Sequence, residues 1–205
     1  MGEPDQREIM GYSISDGAKR RKWIQMVNDI SEFMNGMDHE YLFHGTSMSR
    51  LTDILDNGLK PTQIDEAIGD VSDAENGSFW GDVRTAAAYA EDTAWERDNC
   101  SPAIVAIRKS HILDEYELFP DLATCDFPLK GLTRLDEEGV FKKWADNYND
   151  LTWEDAMDDL KAVVAVHDTV IPAGFLVHIT SLAALKIEIE DTKAYSDGSF
   201  CIGKG

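Results

Sequence analysis

Trp23, Val27, Ile30 and Met34 recur at spacings of four, three and four, with Ile24 and Phe33 on the same side, so an amphipathic helix is predicted over 16–36. Asp16 suits its N-cap and Asn35-Gly36 its stop. The period then changes. Tyr41-Leu42-Phe43-His44-Gly45-Thr46 is a short apolar run ending in small residues, as a buried strand does when it delivers a polar group to its edge. A helix follows at once, capped by Ser47 or Ser49 and buried through Leu51, Ile54 and Leu55. Gly58 at C′, then Leu59 and Pro61, end it.

Further along, residues 61–77 are acidic and aperiodic and read as a loop. Ser78-Phe79-Trp80 is a short strand, and Asp82 caps a helix running to about Arg97. The β-branched run Ala103–Ile107 is a central strand. Residues 110–160 read as irregular around two helices, near 137–147 and 152–160, and strands resume at Ala162–Val166 and Phe175–Ile179. Leu185–Ile189 alternates in the manner of a strand, and 191–205 reads as a turn with a short closing strand or a frayed tail. The predicted class is α+β, with most helices in the first half and most strands in the second.

Composition narrows the function. In 205 residues, 19 Lys and Arg face 39 Asp and Glu, for a net charge of −20. A surface this acidic repels phosphate backbones, which argues against a free nucleic-acid binder. No Lys or Arg lies between Lys60 and Arg84, or between Lys143 and Lys161, whereas Lys19–Lys22 is the one basic run and opposes the dipole of the helix it opens. No apolar run approaches the ~20 residues of a membrane span. The first residues lack a basic-then-apolar leader, and three widely spaced cysteines without a CxxC pair suit reduced thiols, so a cytoplasmic location and no metal are expected. There is no phosphate loop, dinucleotide fingerprint or nucleophile elbow.

His44 is the leading candidate for chemistry: an imidazole at a strand end, beside Gly45, which would let a ligand approach the backbone, and Thr46, which can hydrogen-bond. Residues 41–61, YLFHGTSMSRLTDILDNGLKP, resemble the first motif of the ADP-ribosyltransferase superfamily, in its PARP-like and RNA 2′-phosphotransferase-like branches. SFWGDVRTAAAYA (78–90) resembles the family's aromatic strand and following helix, Ala103–Ile107 its next core strand, and AVVAVHDTVIPAGFLVHI (162–179) its closing strands around an Ile-Pro turn.

The resemblance implies a split β-sandwich of two small sheets with NAD bound between them, flanked by helices. It implies a helical extension over 1–38, and a domain over 39–205 with an acidic helical insertion at about 110–160. Under it, His44 and Gly45 hold NAD near its ribose and amide, Thr46 lines the turn, and Phe79, Trp80 or Tyr89 stacks on nicotinamide. The family's glutamate would fall near Lys161 or Ala162, neither of them acidic, so Asp158, Asp159, Asp168, Glu188 and Glu190 become the alternatives, with Asp168 preferred as the catalytic acid. The implied activity is mono-ADP-ribosyl transfer from NAD to a macromolecular target, a protein with a basic surface, by an effector of phage or bacterial type. The alternatives are an RNA 2′-phosphotransferase-like enzyme and a non-catalytic acidic inhibitor or binding protein on the same fold.

Overall fold

The computed structural model describes residues 14–35, 37, 40–61, 77–113, 116–120, 152–159, 161–166 and 169–196. In chain order these form α1 (Ile14–Met34), β1 (Tyr41–Ser47), α2 (Met48–Asn57), β2 (Gly77–Gly81) and α3 (Val83–Glu91), which a π-helical stretch Asp92–Arg97 continues. There follow β3 (Pro102–Arg108), α4 (Lys109–Leu113), β4 (Glu117–Pro120), α5 (Trp153–Asp159), β5 (Ala162–Val166), a 3₁₀ turn at Ala173–Phe175, β6 (Leu176–His178) and α6 (Leu182–Ser196). The class is α+β, but helices and strands alternate along the whole chain instead of segregating into halves.

The strands form one antiparallel sheet in the order β4-β5-β2-β1-β3-β6. Its pairings are very uneven. β1 and β3 pair along their whole length, from Tyr41 opposite Arg108 to Ser47 opposite Pro102, and β2 and β5 do the same, from Gly77 opposite Val166 to Gly81 opposite Ala162. Between β1 and β2 only Phe43 opposite Gly81 is paired. The sheet is therefore two three-stranded halves, β1-β3-β6 and β2-β5-β4, joined at a single residue pair.

Two cores follow from the alternation of side chains across the strands. On one face Leu42, Val105, Ile107, Trp80, Val163 and Ala165 pack beneath Leu51 and Ile54 of α2 and Ala156 and Met157 of α5, so this core underlies both halves. On the other face Tyr41, Phe43, Ile104 and Ala106 pack against Val83, Ala86 and Ala87 of α3, Val27 and Ile30 of α1, and Leu185 and Ile189 of α6. This second core draws its strand residues from β1 and β3 alone.

Local signals explain most of the elements. Asp82 accepts a 2.7 Å hydrogen bond from the Thr85 N–H, the N-cap expected there. Gly58, at φ 86, donates to the Ile54 carbonyl and closes α2, and Leu59 then pairs with Ile171. Helix α1 begins at Ile14, ahead of Asp16, which places Lys19–Lys22 beyond the first turn and lessens their conflict with the helix dipole.

Leu185–Ile189 is helix, not strand. Leu182, Leu185 and Ile189 share a helical stripe toward the second core while Ile187 is 59% exposed, so the period-2 pattern arose from one outward-facing isoleucine. The helix runs on through 196 where a turn was expected. Within the stretch expected to be irregular, α4 and β4 are regular. The loop at 62–76, the helix near 137–147, His167, Asp168 and the tail from 197 lie outside the described residues.

Candidate functional site

The two halves part immediately after Phe43 and Gly81, and His44 stands at that point. Its Nδ1–H donates a 2.8 Å hydrogen bond across the gap to the backbone carbonyl of Phe79. A carbonyl only accepts, so the proton sits on Nδ1 and the neutral ring presents an Nε2 lone pair. Burial lowers the pKa of this imidazole, the bond to Phe79 opposing that shift without cancelling it. His44 is thus a neutral, oriented acceptor. The Trp80 ring lies 5.5 Å from it at 50°.

The aromatic candidates separate by position. Trp80 is 2% exposed, belongs to the first core and donates its indole N–H to Ser78 Oγ at 2.8 Å, so it supports His44 from beneath. Phe79 projects to the opposite face, where its half-buried ring stacks on Tyr89 of α3, with centroids 5.8 Å apart and planes within 16°. That is a near-parallel, offset pair of the kind on which a planar heterocycle stacks.

Gly45 has a different reason to be glycine from the one its sequence neighbours imply. A Cβ there would lie 1.9 Å from the Ala86 carbonyl oxygen and 2.7 Å from the Ala90 nitrogen. Its open side is filled by the backbone of α3 and not by ligand space. Thr46 is 3% exposed, at the inner end of β1.

The carboxylates do not converge on His44. β5 reads Ala162-Val163-Val164-Ala165-Val166 and carries no acid. Lys161 occupies the head of that strand with φ 60, and its carbonyl accepts the Asp82 N–H. Asp158 and Asp159 belong to α5, Glu188 and Glu190 to α6, and Glu190 lines a shallow cavity of about 310 Å³ between α1 and α6 with Phe33, Met37, Lys186 and Ile189.

A second polar cluster escaped sequence reasoning. At the far end of β1, the Asp98 carboxylate accepts hydrogen bonds from Ser47, from Ser49 at 3.0 Å and from Arg50 Nε at 2.8 Å, and Arg50 Nη2 adds a fourth at 3.1 Å. The Arg50 guanidinium, then the Ser47 and Ser49 hydroxyls, hold its carboxyl well below the usual range. Ser47 is therefore the N-cap of α2 by position, yet its hydroxyl serves Asp98 and not the helix. These partners lie some fifty residues from Asp98 in sequence, so no local pattern announces them.

On the opposite side of the molecule Trp23 donates to Glu91 at 2.9 Å, and Arg20 lies 4.9 Å over the Trp95 ring, fastening α1 to α3 and its π-helical extension. Among the described residues no helix is long and apolar enough to cross a membrane. Comparisons with protein-family models, with curated proteins and with solved structures find no match to this chain.

Proposed function

We propose that this chain is a mono-ADP-ribosyltransferase that binds NAD where the halves of its sheet separate and passes ADP-ribose to a macromolecular acceptor. The observation that carries this reading is His44: a neutral imidazole, oriented by the Phe79 carbonyl, one residue past the only β1–β2 pair and close to a stacked Phe79–Tyr89 platform. The division into two three-stranded halves also agrees with the split sandwich that the sequence motifs imply. Nicotinamide stacks on the aromatic pair, and His44 Nε2 accepts a hydrogen bond from a ribose hydroxyl. When the bond from the ribose anomeric carbon to nicotinamide breaks, its electron pair leaves with the ring nitrogen, and an acceptor nucleophile forms the new bond to that carbon.

The charge of −20 favours a protein target with a basic surface over attraction of anionic NAD. The 2′-phosphotransferase alternative needs free guanidiniums. Arg50 is committed to Asp98 and Arg84 donates to Ser31 Oγ at 2.9 Å, so we do not propose it. The acid-free β5 favours one second reading, NAD binding without transfer.

Purified protein incubated with labelled NAD and extract tests the proposal. A labelled product or free nicotinamide is expected, together with a thermal shift on NAD. A thermal shift with neither product would support the second reading, and no shift with no product would remove both.

A further inference from the structure

Transfer chemistry at this site needs a carboxylate, because rupture of the nicotinamide bond builds positive charge on the ribose. The acid-free β5 does not provide it. The register of the β2-β5-β4 half shows where one stands instead. Val163 and Ala165 of β5 face the first core, as do Trp80, opposite Val163, and Leu118 of β4, opposite Ala165. Alternation then places Phe79, opposite Val164, and Glu117, opposite Val166, on the other face. No residue of β2, β5 or β4 enters the second core, so among the described residues this face carries no packed helix beyond the contact of Tyr89 with Phe79.

On the described positions of these three strands, Glu117 is the only acid. It is exposed and makes no hydrogen bond or ion pair among the described residues. Two strand spacings and a two-residue offset separate its Cα from that of Phe79, about 12 Å along a diagonal of the sheet. A nicotinamide riboside with its ring on Phe79 and Tyr89 can lie along that diagonal with the ribose toward Glu117.

We infer that Glu117 on the edge strand β4 is the catalytic carboxylate of the transfer, in place of the acid that β5 lacks. This rests on the function proposed above. The carboxylate accepts a hydrogen bond from a ribose hydroxyl and stabilises the cationic ribose as the electron pair departs with nicotinamide. The proton lost by the incoming nucleophile goes to solvent, and Glu117 is unchanged at the end of the cycle.

The test compares the full-length chain with Glu117→Gln and, as a control acid in the α1–α6 cavity, Glu190→Gln. Nicotinamide release, affinity for NAD by calorimetry, and affinity for a cationic pyrrolidinium mimic of the ribose are measured for each. Glu117→Gln should slow release about 10²- to 10³-fold, leave NAD affinity within about threefold and weaken the cationic mimic selectively. Glu190→Gln should change none of these, and matching melting curves exclude misfolding. Wild-type activity that Glu117→Gln retains within twofold overturns this assignment and leaves the proposed function standing. A wild-type chain that neither binds NAD nor releases nicotinamide overturns both.

Discussion

The two halves of the sheet are unequally covered. β1-β3-β6 is buried on both faces, by α2 on one side and by α1, α3 and α6 on the other, whereas β2-β5-β4 is packed on only one. The sequence mirrors this. Ala103–Ile107 is apolar at every position, as a strand buried on both faces must be, while β2, Gly77-Ser78-Phe79-Trp80-Gly81, commits only Trp80 to a core. The difference teaches that stability and chemistry are distributed laterally: one half anchors the fold, and its neighbour presents a face on which aromatic and acidic side chains remain accessible.

The comparison can be broken most violently at Gly45. Gly45→Ala drives a methyl into the Ala86 carbonyl, and the cost expected from forced overpacking is about 3 kcal/mol or more, read as a lower denaturation midpoint. An unchanged midpoint would mean that α3 is not fixed against β1. Next in size is Asp98→Asn, which weakens the clamp at the end of β1 and should cost about 2 kcal/mol. Its pH signature is specific. Asp98 has a folded pKa below its unfolded value, so the unfolded chain binds more protons in acid, and the stabilisation is full above about pH 4 and falls away below it. Asp98→Asn should flatten that acid slope in melts taken between pH 5 and 3.

Changes on the open half should instead spare stability. Tyr89→Leu, measured by calorimetry with NAD, should weaken binding about tenfold and Tyr89→Phe hardly at all, since stacking needs the ring and not the hydroxyl. Equal losses in both variants would implicate the hydroxyl. The smallest effect belongs to His44 at the seam. Its lowered pKa keeps it neutral at pH 6.5, so ¹⁵N spectra should show the Nδ1–H tautomer there. Below its unfolded pKa the same shift costs stability as the pH falls, and His44→Gln should remove that part of the acid sensitivity.

Much of the covered half was legible. The run Tyr41–Thr46, the Gly58-Leu59 stop and the Asp82 cap are short-range signals with one physical meaning each, and each stands where expected. The failures share a cause. Leu185-Lys186-Ile187-Glu188-Ile189 satisfies both periods, and only packing against α1 decides for the helix. β4 has four residues and ends in a proline that cannot donate to a neighbour, so its alternation of Tyr116, Glu117 and Leu118 was too brief to stand out. At the site, His44, Phe79 and Tyr89 were visible as residue types. Which aromatic faces a core and which faces outward depends on β2–β5 register, a tertiary fact.

The close approach of Gly45 to α3 also bears on how such motifs carry information. A histidine followed by glycine invites the reading that both residues were selected for one ligand. Here the second letter encodes the closeness of a neighbouring helix, and would be required of any chain that lays a helix backbone against the strand after its histidine. The dipeptide is two messages in adjacent positions, one about chemistry and one about assembly. Because α3 also carries Tyr89, the glycine governs the aromatic platform at a distance, through a missing methyl group.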